Sequence, residues 1–217
     1  MNYLSNLNFS IINIMIAALN FCLKGKRTKF MKQTLMLLLL MLASCGPTAK
    51  KLSEMDYDEY VVKRDEALAN KAINEKTLSG IVEAQNDFGN KAFNAGELDK
   101  AETIFNKTLE ISNQNKPAKY GLAMIKGHRF YKKGSKTALW DALEQYGKAS
   151  YHNSESGEPN YWMGRTYEKK DDGDYELIIE AYENALQGIL PLKLITDAEA
   201  RLAAAKKKQQ TFQDFWK

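Results

Sequence analysis

Cysteine and proline are both scarce in this chain. Of its 217 residues, two are cysteines and four are prolines. Because so few prolines interrupt the chain, long helices are possible almost throughout. The cysteines are Cys22 and Cys45, so a leader that ends just before Cys45 would leave the folded part with no other thiol. That excludes a disulfide, a thiolate metal site and a cysteine nucleophile there, and it suits an oxidising compartment.

Acidic residues are missing from the first part of the chain. Residues 1–44 contain five of the 31 basic residues and no aspartate or glutamate. Taking those five away leaves 26 basic residues against 27 acidic ones in the remainder. The folded part is therefore nearly neutral. It lacks the positive field that attracts nucleic acid, so no nucleic-acid partner is expected.

Residues 31–44 have the layout of a secretory signal. A lysine near the start precedes an unbroken apolar run over residues 35–42, and two small residues follow. The run is under half the ~20 residues that a membrane-spanning helix needs. Leu42-Ala43-Ser44-Cys45 resembles the bacterial lipobox. The resemblance implies that Cys45 carries a lipid and becomes the first residue after cleavage; the alternative is a plain hydrophobic anchor with an incidental cysteine.

The segments on either side of this signal complete the predicted leader. Residues 1–30 contain a second apolar run, and we interpret them as translated upstream sequence before a true start at Met31; the alternative is a real N-terminal anchor. Residues 45–51 form a tether that spans roughly 20 Å at full extension. Gly46 in place of aspartate favours the outer membrane, with the domain facing the periplasm. The expected location is therefore the cell envelope.

Two helices are predicted to cap the folded domain, residues 52–217. The first runs from 52 to about 76, with Ser53 and Asp56 approximating a capping box. The last covers 196–215 and begins at a capping box of Thr196 and Glu199. The lysines at 206–208 are interpreted as a solvated face of this last helix.

Residues 81–117 carry the clearest motif. Phe88-Gly89, Ala92, Gly96 and Leu98 are followed by Ala101, Phe105 and Leu109. Small residues fit where two helices cross closely, Phe105 fills the space between them, and Gly96 allows the positive φ that ends a helix. This pattern resembles a tetratricopeptide repeat.

Two further copies of the motif follow. Ala142, Tyr146 and Ala149 mark a weaker one, and Tyr161 to Tyr167 with Gly164 opens a clearer one. The distance along the chain from Gly89 to Gly164 is two 34-residue periods plus about seven residues. Most of these extra residues are assigned to the turn near Gly134 and the loop 152–159. The resemblance implies an all-α, tetratricopeptide-like α-solenoid of about three helix-turn-helix repeats with capping helices at both ends. The repeats are expected at about 82–115, 116–156 and 157–192.

No catalytic or metal-binding motif is recognised. His128 and His152 have no partner at metal-ligand spacing, and the chain contains no nucleophile elbow or phosphate loop. We therefore expect a protein that is not an enzyme. It should need no metal and no cofactor apart from the covalent lipid on Cys45.

The resemblance also implies a concave binding groove along the first helices of the repeats. The sequence around Asn90 is similar to the subtype that clamps a peptide's terminal carboxylate, but Asn86 stands where that subtype has a lysine. Another peptide or protein is therefore the favoured occupant, and the convex face or the caps remain alternative surfaces. The residues that line this groove are not expected to be needed for helix packing. The expected groove residues are Asn86, Asn90, Phe93, Tyr120, Met124, Tyr161 and Arg165.

Together these features predict a membrane-anchored protein–protein interaction adaptor of the bacterial cell envelope. A stack of helix pairs presents a concave surface that a peptide or a helix can fill. Two other functions remain open. One is an accessory subunit of an outer-membrane assembly or secretion machine, and the other is a lipoprotein that binds cell-wall glycan.

The anchor is tested by changing Cys45→Ala. The variant should lose metabolic labelling with fatty acid and should not be processed to the mature size, because the thiol is the acceptor of the lipid. Labelling, gel mobility and cell fractionation provide the measurement. A Cys45→Ala protein that is still cleaved, labelled and membrane-bound would contradict the assignment.

Overall fold

The computed structural model describes residues 49–70, 72–170 and 173–216, so the leader and Cys45 lie outside the described residues. The described ranges contain nine helices and no strand, which confirms the predicted all-α class. From the third helix onward, consecutive helices pack against one another, whereas the first helix packs against the third. In chain order the helices are α1 (Ala49–Ser53), α2 (Tyr57–Ala69), α3 (Glu75–Asn94), α4 (Leu98–Ile111), α5 (Lys116–Lys133), α6 (Lys136–His152), α7 (Glu158–Lys170), α8 (Tyr175–Gln187) and α9 (Leu192–Phe215).

Short polar side chains begin several of these helices. The side chains of Asn74, Asn115 and Ser135 each accept a hydrogen bond from the backbone N–H three residues further on. These bonds satisfy donors that have no partner within the helix. Gly96 and Gly134 have φ angles of 79° and 70°, in the left-handed region that favours glycine, and both lie in the turns between paired helices.

The predicted N-terminal helix over 52–76 is wrong. Asp56 is itself an N-cap, accepting from the backbone N–H of Asp58, so α1 and α2 are separate helices. Asn70 ends α2 and its side chain accepts from the N–H of Ala72. Asn74 then starts α3, earlier than the motif suggested. These Asp and Asn side chains offer the backbone local partners that compete with a continuous helix.

The predicted start of the last helix is also wrong. The helix begins at Leu192, so Thr196 and Glu199 lie inside it rather than at a capping box. The carbonyl oxygen of Pro191 accepts from the N–H groups of Leu194 and Ile195. The fixed φ of proline suits the entrance to a helix, and this explains the earlier start.

A glycine packed against an aromatic ring joins the two helices of each of three successive pairs. A Cβ atom added at the glycine would lie 2.5 Å from the ring in the first two pairs and 2.8 Å in the third. The rings are fully buried, so they have little room to move aside. These contacts therefore set how closely the paired helices approach. The contacts are Gly89 with Phe105 (α3–α4), Gly127 with Tyr146 (α5–α6) and Gly164 with Tyr182 (α7–α8).

The spacing of these contacts places the extra residues of the motif. The packing glycines are 38 and 37 residues apart. In the first pair, 16 residues separate Gly89 from Phe105, which leaves 18 residues of a 34-residue period before the next packing glycine. The interval from Tyr146 to Gly164 is also 18 residues, so it holds no extra residue. The prediction that the loop 152–159 holds extra residues is therefore wrong. Four of them lie between Phe105 and Gly127, and three lie between Gly127 and Tyr146.

The glycine–ring contact is tested by Gly127→Ala. The added methyl group would collide with the buried Tyr146 ring, so we expect the free energy of unfolding to fall by about 1–3 kcal/mol. Urea unfolding followed by circular dichroism provides the measurement.

The matched control is Gly147→Ala, at the exposed position of α6 that directly follows Tyr146. A Cβ atom at this helical position meets nothing within 4 Å. Alanine is the better helix former there and should raise the free energy of unfolding by about 0.5–1 kcal/mol. Equal effects of the two substitutions would show that the ring does not limit the approach of α5 to α6.

Candidate functional site

The candidate binding surface is formed by the first helix of each pair, α3, α5 and α7. The residue that follows each packing glycine occupies an equivalent position, and these residues are Asn90, His128 and Arg165. Three residues before each glycine stand Asn86, Met124 and Tyr161. Tyr120 lies seven residues before Gly127, one helical turn earlier than the position that Asn86 and Tyr161 occupy, because four of the extra residues precede Gly127.

Burial divides the seven predicted groove residues into two groups. Met124 is fully buried, Tyr161 is 3% exposed and Asn86 is 7% exposed, so these three offer almost no surface to a partner. Asn90 is exposed, whereas Phe93, Tyr120 and Arg165 are half-buried. The structure thus leaves four of the predicted residues accessible. Neighbouring helices cover the other three.

Asn86 and Tyr120 differ in how their polar atoms are satisfied. The buried Oδ1 of Asn86 finds no hydrogen-bond partner among the described residues. The Tyr120 hydroxyl lies 3.0 Å from the Ser156 Oγ, within hydrogen-bond distance. Burial raises the pKa of Tyr120 to about 12, so the hydroxyl stays protonated at neutral pH.

An aromatic cluster that the sequence analysis did not predict lies between these helices. Its centre is His128, whose ring centroid is 5.4 Å from that of Phe93 and 4.6 Å from that of Trp162. The Nδ1 atom of His128 lies 2.9 Å from the Tyr146 hydroxyl, and Tyr131 packs edge-on against Trp162. The position of His128 directly after Gly127 is the sequence signal that could have identified it. We refer to Phe93, His128, Tyr131, Tyr146 and Trp162 as the aromatic cluster.

The aromatic cluster keeps its ionisable groups uncharged. Burial lowers the pKa of His128 from its ordinary 6.5 to about 4, and burial raises the pKa of Tyr146. The indole N–H of Trp162 donates to Glu158 over 3.4 Å, and burial raises the pKa of that carboxyl group. At neutral pH His128 is a neutral imidazole, so the centre of the surface can stack and hydrogen-bond but carries no positive charge.

Two cations border the aromatic cluster on α7. The Arg165 guanidinium lies 5.9 Å from the centre of the Trp162 ring, and the Lys169 Nζ lies 4.4 Å from that of Tyr131. Such distances allow cation–π attraction. Lys169 also donates to the carbonyl oxygen of Tyr131 over 2.7 Å, while its side chain remains exposed. Positive charge therefore lies at the edge of the surface and not at its centre.

Tyr161 and Arg165 also belong to a network that ties α7 to α9. The Tyr161 hydroxyl donates to Asp197 over 2.7 Å and accepts from Arg165 over 3.0 Å. Arg201 binds Asp197 and Glu168 at 2.6 and 2.7 Å. Burial opposes ionisation of Asp197, but the hydrogen bonds from Tyr161 and Arg201 lower the pKa of its carboxyl group. The expectation that the groove residues are dispensable for packing is thus wrong for Tyr161.

In the ranges that the structure describes, no three His, Cys, Asp or Glu side chains come together in a way that could hold a metal ion. Among those same helices, none is both long enough and apolar enough to cross a bilayer. No family model and no curated protein matches the sequence.

The burial of His128 predicts a pH-dependent stability. The unfolded chain binds a proton near pH 6.5 and the folded chain only near pH 4. The neutral His128 therefore makes its full contribution to stability above pH 6.5, and this contribution is lost as the pH falls toward 4. The resulting loss in the free energy of unfolding is on the order of 2–3 kcal/mol by pH 4.5. When the pH is lowered from 7 to 4.5, the free energy of unfolding should fall less in His128→Gln than in the wild type, by about 2–3 kcal/mol. Urea titrations at the two pH values provide the measurement.

The control for this prediction is His152→Gln. His152 lies at the end of α6 and is only partly covered, so its removal should change the pH dependence much less. A pH dependence that His128→Gln leaves unaltered would show that His128 protonates freely in the folded chain.

Proposed function

We propose that this protein is a membrane-anchored adaptor of the tetratricopeptide type, and that it binds a peptide segment of a partner protein along α3, α5 and α7. The observation that carries the proposal is the row of Asn90, His128 and Arg165 on successive first helices, with the aromatic cluster beside it. The recurring glycine–ring contacts support the repeat assignment. The lipobox resemblance at Cys45 supports an anchor in the cell envelope, in the outer membrane and facing the periplasm.

The chemistry of this surface suits a peptide with an acidic group. The exposed Asn90 amide offers both a donor and an acceptor to a peptide backbone. The half-buried rings of Phe93 and Trp162 add contact area at low cost in conformational entropy. Lys169 and Arg165 lie where they can attract a carboxylate. Because His128 is neutral, the middle of the bound segment is expected to be apolar or aromatic.

Site-specific photocrosslinking in cells tests this surface. A photoreactive phenylalanine analogue is placed at Asn90 or Lys169, which are exposed on the proposed surface. It is placed at Tyr151 in the control, because that side chain is 82% exposed but lies on α6, the second helix of its pair. Crosslinks to the same protein partner are expected from the first two sites and not from the third.

The other outcomes separate the alternatives. A product from Asn90 and Lys169 that contains wall polymer instead of protein would favour a glycan-binding lipoprotein. Crosslinks to a partner from Tyr151 alone would move the working surface to the second helices and would contradict the proposal.

A further inference from the structure

The C-terminal part of α9 contributes little to the buried core of the domain. Ala205 is the last buried residue of this helix, and Lys206 forms an ion pair with Glu183 over 2.7 Å. From 206 to 216 every residue except Gln209 is exposed. The only ring contact between this part of α9 and another described helix is that of Phe212 with Tyr175, at 6.2 Å. About two and a half turns of helix thus present their side chains to the surroundings.

Three large aromatic side chains lie on this exposed segment. Phe212, Phe215 and Trp216 are 55%, 79% and 72% exposed. Trp216 packs against the other two at centroid distances of 6.1 and 5.3 Å, so the rings form one patch rather than scattered residues. Single exposed apolar residues are normal on a soluble domain, whereas a contiguous patch of this kind indicates an interaction surface.

Two lysines share the face of the aromatic patch. Residues four apart stack along a helix, so Lys207 lies in one row with Phe215, and Lys208 lies in the neighbouring row with Phe212 and Trp216. Neither lysine has a carboxylate within ion-pair distance in the described part of the chain. Asp214 lies seven residues after Lys207, at the edge of this face, where it accepts a hydrogen bond from Gln210. The face is therefore apolar at one end and positively charged at the other.

We propose that this face of α9 binds the surface of a membrane that contains anionic phospholipid. Tryptophan and phenylalanine rings are suited to the depth of the headgroups, and lysines on the same helix face are attracted to the negative surface potential. All three lysines at 206–208 are exposed, which agrees with their interpretation as a solvated face, and the proposal adds a ligand for two of them, Lys207 and Lys208. The inference does not rest on the peptide-binding surface.

The test uses the full chain with Trp216 as its only tryptophan. The chain has three tryptophans, so Trp140→Phe and Trp162→Phe leave Trp216 as the reporter. The protein is reconstituted with vesicles of phosphatidylcholine, or of equal parts phosphatidylcholine and phosphatidylglycerol, whose acyl chains carry bromine as a quencher. We expect a blue shift and several-fold stronger quenching of Trp216 in the anionic vesicles.

Two variants serve as matched controls. Lys207→Gln with Lys208→Gln keeps the aromatic patch but should reduce quenching in anionic vesicles to the level seen with phosphatidylcholine alone. The helical circular dichroism of this variant should be unchanged, because both side chains are exposed. A protein that keeps only Trp140, which is half exposed on α6, should be quenched equally weakly in both kinds of vesicle.

Three results would overturn the proposal. One is Trp216 emission that anionic vesicles neither shift nor quench. Another is quenching that is the same with and without phosphatidylglycerol, or that survives the loss of both lysines. The third is a concentration-dependent dimer that Phe215→Ser dissociates, with no quenching by lipid, which would assign the face to a second copy of the chain.

Discussion

The contact between a helical glycine and a buried aromatic ring is the constraint on which the rest of this domain depends. At Gly89, Gly127 and Gly164 the absence of a side chain lets the ring of the paired helix lie against the backbone. Because each ring is fully enclosed, a helix cannot slide or rotate without losing that contact. Three such contacts fix the rotation of α3, α5 and α7, and so they decide which residues form the candidate binding surface.

The same constraint explains why that surface combines polar and aromatic character. The residue after each glycine lies beside the crossing and not within it, which leaves Asn90 exposed and Arg165 half-buried. His128 is at the equivalent position but is enclosed by Phe93 and Trp162, and it therefore gives up its charge. A neutral imidazole that is hydrogen-bonded to Tyr146 can remain in such a place, whereas an imidazolium would be destabilised by desolvation.

The last helix shows two kinds of surface along one element. Its first half is held to the body by Asp197 and Arg201 through their bonds to Tyr161 and Glu168. Its second half makes few contacts and presents aromatic and basic side chains outward. Exposed ion pairs add little stability one by one, but these share partners and are partly shielded, so they can position α9 as a network. A firmly held first half allows the exposed end to remain a helix.

The sequence by itself determined the helical class, most of the turns and many of the residues that would pack, because helix periodicity, capping side chains and glycines act locally. It also identified Gly89 and Gly164 as close-packing positions. Only the tertiary structure decided the register of α5 and the burial of Met124 and Tyr161. A helical pattern states which face is apolar, but the amount of that face that stays accessible depends on neighbouring helices. The aromatic cluster arose in the same way, since its members come from four helices and have no common local signal.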